Sequence, residues 1–337
     1  MKKLLAHYWP ELLITIAVWA FMGWKFGLSA FILTVILSIL EITLSADNAI
    51  VNSKVLVKLS VFWQRMFLTV GILIAVFGVR FALPILMVSV TTSLDIGTVF
   101  SLALNHPEEY GRKLHEVAPV IDGFGGMFLL MVAMFFFIDK KRDKIGIWLR
   151  LPEEFLFKLS KWHVSRFIVP LIIFTTLLFF IPESLRSNVA IAMLLGALTY
   201  VLLHMVTSSM EKFGDVKSDT GQVGLVAFML FMYLQVLDAS FSLDGVVGAF
   251  AITNNIIIIM AGLGIGALWV RTFTIYMVRH DTLLKYRFLD SGAHWAIVSL
   301  AAVMLLKVGG IELPEIVIGS IGLVFISAAV LSSVKRK

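Results

Sequence analysis

The stretch Glu41-Ile42-Thr43-Leu44-Ser45-Ala46-Asp47-Asn48-Ala49 sets two carboxylates, a hydroxyl and a carboxamide inside a run that is otherwise apolar. Burying ionised carboxylates in hydrocarbon is costly, so such a stretch is not bland packing. About two hundred residues downstream the pattern returns as Asp238-Ala239-Ser240-Phe241-Ser242-Leu243-Asp244-Gly245-Val246. Both copies obey one rule: an acidic residue, three others, Ser, one other, Asp.

The surroundings of these motifs set the fold class. The chain has 59% hydrophobic and 15% charged residues, with a mean hydropathy of +0.96. A soluble domain carries about a quarter charged residues. Repeated apolar runs near span length therefore read as membrane helices, and the expected fold is an all-α polytopic membrane protein. About ten spans are expected, at roughly 10–25, 28–50, 66–90, 118–138, 167–182, 188–207, 222–248, 255–278, 293–307 and 313–332. Residues 94–105 are apolar but too short to cross, and read as a re-entrant or interfacial piece. Segment 145–164 reads as an amphipathic helix lying at the surface. Lys2-Lys3 followed by apolar residues lacks a small-residue cleavage site, so the start reads as a retained first span. Cysteine is absent, which excludes disulfides and thiolate metal sites.

The pI of about 9.4 has two explanations, nucleic acid or basic loops on one side of a membrane. Sorting the charges favours the second. With the N-terminus inside, 21 of the 28 lysines and arginines fall in cytoplasmic segments, the largest group between Lys140 and Arg166. Arg80 and Arg271 lie within spans. This is the positive-inside bias. It implies the plasma membrane (the inner membrane of a bacterium), both termini cytoplasmic, the lipid bilayer as partner and no nucleic acid. A homo-oligomer is compatible with it.

The repetition extends past the motifs. Gly71 precedes Arg80 by the same distance as Gly262 precedes Arg271, and Asp122-Gly123-Phe124-Gly125-Gly126 is echoed loosely by Asp290-Ser291-Gly292-Ala293-His294. The order acidic-Ser-Asp, Gly-to-Arg, Asp-Gly occurs in both halves. An odd number of crossings separates the copies, so they run in opposite directions. An inverted internal repeat follows, with repeat 1 at about 28–138, a cytoplasmic linker at about 139–166 and repeat 2 at about 222–307.

Helical geometry constrains the motif. On a regular helix Glu41, Ser45 and Asn48 fall within about 60° of one another, while Asp47 lies about 120° from Glu41. Asp238, Ser242 and Gly245 repeat this, with Asp244 off to the side. Asp47 and Asp244 thus either serve a neighbouring helix or sit where the helix unwinds. Asn48 and Gly245 tolerate unwinding, which favours breaks near Ala46–Asn48 and Leu243–Gly245.

The chemistry follows from charge. Glu41, Asp47, Asp238 and Asp244 supply four negative charges and Arg80 and Arg271 return two positive ones. The remainder suits a divalent cation on oxygen ligands, Mn²⁺, Ca²⁺ or Mg²⁺ before Cu⁺ or Zn²⁺. A carboxylate without its cation can instead hold a proton, the physical basis of proton-coupled exchange. Ser45, Asn48, Ser242 and Gln235 are supporting ligands. Asp122, Asp290 and His294 are candidates for a proton relay or a supporting role, Asp290 and His294 sharing a helical face at i and i+4. No prosthetic group is implied, and the chain is not expected to be an enzyme.

Glu41-x-x-x-Ser45-x-Asp47-Asn48-Ala49, the Gly71-Ile72…Ala75…Arg80 segment and Gly125-Gly126-Met127-Phe128-Leu129-Leu130 resemble the TerC-type integral membrane proteins, which belong with the LysE-like transporter superfamily. The resemblance covers roughly residues 28–300 and is closest to the longer branch of that family. It implies a transporter, since better-known relatives are implicated in Mn²⁺ export and tellurite resistance. Gly245, standing where the first motif has Asn48, implies unequal ligation in the two halves. The expected function is a secondary transporter of a divalent cation, foremost Mn²⁺ export. The alternatives are an intramembrane aspartate-dependent hydrolase, against which stands the absence of Gly-x-Gly-Asp, and a LysE-like exporter of a small organic solute.

Overall fold

The first motif interrupts its own helix. In the computed structural model α1 (Lys2–Phe26) leads into α2 (Leu28–Leu44), which ends at Ser45, and α3 (Ala46–Leu56) starts at once in a new direction. The two pieces are bent by 59° and together are long and apolar enough to be one broken span. The structure describes residues 2–139, 147–159, 164–213, 217–218, 221–280, 282–311 and 313–335; the side chains of some of these, Asp244 among them, are outside the description.

The next span, Val61–Thr92, is built from α4 (Val61–Leu68), α5 (Val70–Leu73), a π-helical segment (Ile74–Ala82) and α6 (Leu83–Thr92). Pro84 sits at the start of α6, where its missing N–H and fixed φ are tolerated. α7 (Ile96–Asn105) is the short apolar piece expected at 94–105. Asp95 caps it, accepting from the Thr98 backbone N–H at 3.1 Å. Hydrogen bonds from the Thr98 side chain and backbone hold the Asp95 carboxyl below its ordinary range. α8 (Pro107–Phe137) opens with Pro107, Glu108 and Glu109, the residues a helix N-terminus favours. It is the most buried span and packs against α11 (Glu183–Phe213) and α15 (Leu289–Val308).

Between them lie α9 (Arg150–Leu159) and α10 (Ser165–Leu177). A two-stranded hairpin, β1 (Lys217–Ser218) with β2 (Gly221–Gln222), follows α11 and touches Leu59 through Gln222. Then come α12 (Gly224–Ile252), α13 (Ile256–Arg279), α14 (Thr282–Lys285), α15 and α16 (Glu315–Lys335). Asn255 caps α13 by accepting from Ile257 N–H at 3.0 Å and Ile258 N–H at 3.3 Å.

The chain is thus an all-α polytopic membrane protein. Helices occupy all ten expected places, but among the described residues six are long and apolar enough to cross a membrane alone, or seven with the bent pair. The expectation of ten is not met on this measure. α10 has 13 residues and so spans about 20 Å, short of the ~30 Å hydrocarbon layer.

α2 and α13 approach closely because α13 carries small residues on that face. A Cβ on Gly262 would stand 2.5 Å from Leu37 Cβ, and one on Gly266 would collide with Glu41 Cβ and Cγ. Gly264, by contrast, faces Val76 at an ordinary 3.5 Å. Gly262→Val is expected to lower stability by about 1–3 kcal/mol through overpacking, and Gly264→Ala to leave it nearly unchanged. Thermal unfolding of the two purified variants in one detergent checks the contrast.

Candidate functional site

Glu41 sits in the last turn of α2 and is 1% exposed. It forms an ion pair with the guanidinium of Arg80, itself 3% exposed. The π-helical turn shapes this contact: Arg80 Nη1 also donates to the carbonyl of Ala75, five residues back, at 3.1 Å. π-helical segments of this kind occur often at functional sites. Ser45 Oγ donates to Glu41 Oε1 at 3.2 Å, tying the hydroxyl at the helix break to the same carboxylate.

The second motif makes the corresponding pair. Arg271 Nη2 reaches Asp238 Oδ2 at 2.7 Å and Gln235 Oε1 at 3.2 Å, and Nη1 donates to the carbonyl of Phe67 at 2.9 Å. The guanidinium lies 4.3 Å from the centre of the Phe67 ring. Gly71 makes this possible, since a Cβ there would collide with Arg271 Nη1. Gln235, expected as an outer ligand, is therefore a partner of Arg271. Ser242 is buried at 2% exposure, and its hydroxyl has no hydrogen-bond partner among the described residues.

The two motif helices differ in shape. The expected break at the first motif is present at Ser45, one residue before the interval the sequence marked. The expected break at Leu243–Gly245 is absent, because α12 runs through both residues. Gly245 instead serves a close approach: a Cβ there would stand 3.1 Å from Glu41 Oε2. An asparagine at this position, the counterpart of Asn48, would crowd the Glu41 carboxylate.

A cavity of about 30 Å³ lies at the break. Glu41, Leu44, Ser45 and Asp47 line it from the broken span, and Phe241 and Gly245 from α12. Ala296, Ser299, Leu300 and Val303 of α15 and Ile318, Ile321 and Gly322 of α16 complete it. A larger cavity of about 740 Å³ between α6, α8, α11 and α12 has no ionisable side chain in its lining. The charged chemistry is concentrated in the small one. The contribution of α15 and α16 was missed from sequence; Ser299 and Gly322, a polar and a small residue in apolar helices, were its faint signal.

Asp47 differs from the paired carboxylates. It is 4% exposed, and its Oδ1 accepts from the Asn48 backbone N–H at 3.0 Å. Among the described residues no cation pairs with it. It stands in the first turn of α3, where the helix dipole favours an anion. Asn48, 2% exposed, and Asn52, 0% exposed, lie four residues apart on one face of α3. The Asn48 Oδ1 and both amide atoms of Asn52 are unpartnered among the described residues.

The structure thus brings Glu41, Ser45 and Asp47 to one cavity, while Asp238 stays with Arg271 and does not line it. Asp244 belongs to α12, but its side chain lies outside the described residues. No group of three acidic or histidine side chains placed to hold a metal occurs among the described residues. Asp122 is buried in α8 away from the cavity lining. Asp290 and His294 do meet, with Nδ1 3.2 Å from Asp290 Oδ1, but they form their own cluster. Lys54 Nζ reaches Asp290 Oδ1 at 2.7 Å, and the His294 ring stacks on Phe136 at 3.5 Å. Lys54 lies in the last turn of α3 and binds it to α15 through this pair.

A family model described as a protein of unknown function (DUF475) matches residues 46–337. The chain belongs to the DUF475 family. The matched region of this DUF475 protein begins inside the first motif, taking in Asp47 and Asn48 and both members of the Asp238–Arg271 pair. No curated protein and no solved structure matches the chain.

Removing one partner of a buried ion pair leaves an uncompensated charge, which costs about 3–5 kcal/mol. Arg271→Leu is therefore expected to lose stability on that scale, and Asp238→Asn combined with Arg271→Leu to regain much of it. Chemical unfolding of the single and double variants, analysed as a double-mutant cycle, measures this.

Proposed function

We propose that this DUF475 protein is a secondary transporter of a divalent metal cation, with Mn²⁺ favoured, Ca²⁺ or Mg²⁺ as further candidates, and export as the direction. The observation that carries the reading is the small buried cavity at the α2–α3 break, where Asp47 stands beside the Arg80-held Glu41 without a cation of its own. Glu41 and Asp238 are neutralised by their arginines. The two negative charges left over in the sequence count are then those of Asp47 and Asp244, one divalent cation's worth.

Size supports a bare or partly hydrated ion. About 30 Å³ holds one or two waters, since a water needs at least about 10–15 Å³ on this measure. A small organic solute of amino-acid size does not fit, which weighs against the LysE-like alternative. Donor type supports a hard cation: the carboxylates of Glu41 and Asp47 and the hydroxyls of Ser45 and Ser299 that belong to the lining residues are all oxygens. Because carboxylate ligands must be deprotonated, cation binding is linked to proton release, consistent with proton-coupled exchange.

Three further parts of the reading rest on sequence: the inverted repeat of residues 28–138 and 222–307, the TerC-type likeness of the first motif, and a plasma-membrane location with cytoplasmic termini. The matched acid–arginine pairs, one in each half, support the first of these.

Purified protein reconstituted in liposomes that enclose a Mn²⁺-quenched dye is expected to carry Mn²⁺ down an opposing pH gradient. Asp47→Asn should reduce that flux at least about tenfold, the effect of losing roughly 1.4 kcal/mol of ligand interaction, while Asp122→Asn retains it. Flux unchanged by Asp47→Asn, or none above empty liposomes with Mn²⁺, Ca²⁺ and Mg²⁺, would overturn the proposal.

A further inference from the structure

α9 is held rigidly on one side and left open on the other. On the inner side Glu153 is 0% exposed. Its carboxylate accepts from the backbone N–H groups of Trp148 at 3.0 Å and Leu149 at 3.2 Å, and from the indole N–H of Trp295 at 2.9 Å. Trp148, 8% exposed, packs in one cluster with Phe288 and Ala329. Leu156 packs partly against the main core. A buried carboxylate that accepts from these donors, two of them at the start of its own helix, fixes α9 to α15.

The outer side carries Leu151, 84% exposed, and Phe155, 63% exposed, four residues apart on one face. Lys158 continues that face and is exposed. Arg150 stands beside it, tied to Glu154 at 2.9 Å through a pair whose side chains are 86% and 39% exposed. Such an exposed pair is weak and exchanges readily for another anion. Large apolar side chains this bare, flanked by basic ones, are the pattern of a helix lying in a membrane interface. The next helix is also bare of cover on one side: Leu171 and Ile172 of α10 are exposed at 58% and 57%.

We propose that α9 is an anchor for an anionic bilayer surface. Leu151 and Phe155 enter the boundary between headgroups and acyl chains, and Arg150 and Lys158 meet lipid phosphates. Charge complementarity selects the occupant, because basic residues at this depth are drawn to anionic headgroups. The Glu153–Trp295 clamp makes the anchor part of the bundle, since Trp295 adjoins Ala296 in the cavity lining. The inference does not depend on what the cavity carries.

The chain has no cysteine, so a single Phe155→Cys or Leu151→Cys variant can carry an environment-sensitive dye in the full-length protein. Single copies are placed in nanodiscs of phosphatidylcholine alone or mixed with phosphatidylglycerol, with and without brominated acyl chains. The expected result is a blue shift and bromine quenching that increase with phosphatidylglycerol. The increase should be lost at high salt and in the Arg150→Glu, Lys158→Glu double variant, whose changes lie on exposed positions. A dye at Arg186→Cys, in the first turn of α11, serves as the unshifted control. Emission identical in all discs and insensitive to bromine overturns the proposal, as does quenching that is equal with and without phosphatidylglycerol. Shielding that persists in detergent, the sign of a protein contact, overturns it as well.

Discussion

A charge inside a membrane must find an opposite charge, and most of this architecture serves two such meetings. Glu41 with Arg80 and Asp238 with Arg271 are ion pairs whose members are all at most 4% exposed. Isolated, each of these groups would carry a desolvation penalty that no apolar packing offsets. The π-helical turn that aims Arg80, the bare backbone at Gly71 that admits Arg271, and the close α2–α13 approach at Gly262 and Gly266 all become intelligible as conditions for the pairs. Both arginines take extra acceptors, the Ala75 and Phe67 carbonyls, which is how a buried guanidinium satisfies more than one of its five donors.

Equivalent pairs sit in unequal helices. The α2–α3 break gives the first motif a helix end on each side, whereas α12 passes the second without interruption. The difference is consistent with the residues involved. Ser45, at the break, stays bonded to Glu41 through both its backbone N–H and its hydroxyl, so the last turn of α2 closes on itself. Gly245 keeps its regular helical bonds and contributes space instead, facing the Glu41 carboxylate. Among the described residues, one motif thus gives the cavity its carboxylates and the other part of its wall.

Much of this was legible in the sequence. The doubled pattern identified the acidic residues, the charge count named Arg80 and Arg271 as their partners in number, and the off-face position of Asp47 pointed to a break. What was not legible depends on tertiary packing. A helical wheel cannot tell that Gly245 makes room rather than a kink, nor that Gln235 faces an arginine. Nor does spacing along the chain show that the long side chain of Lys54, on α3, reaches Asp290 on α15. Ala296, Ile318 and Gly322 could not be read as cavity walls, since apolar residues in apolar helices carry no mark of what they face. The count of about ten spans is not confirmed for a related reason: hydropathy locates segments, while α10, with 13 residues, is too short to cross alone.

The inequality of Glu41 and Asp47 carries the consequence for function. Glu41 has its counter-ion in the protein, so its charge is compensated whatever occupies the cavity. Asp47 shares the same cavity, is as deeply buried, and among the described residues receives a backbone N–H and the start of a helix but no cation. A carboxylate so placed is stabilised in its charged form chiefly by something that comes and goes, a cation, or is neutralised by a proton. The arginines therefore do more than cancel charge. By fixing two of the four motif carboxylates they leave Asp47 without a counter-ion among the described residues, and under the proposed function its state would follow the occupant, the dependence a transport cycle requires.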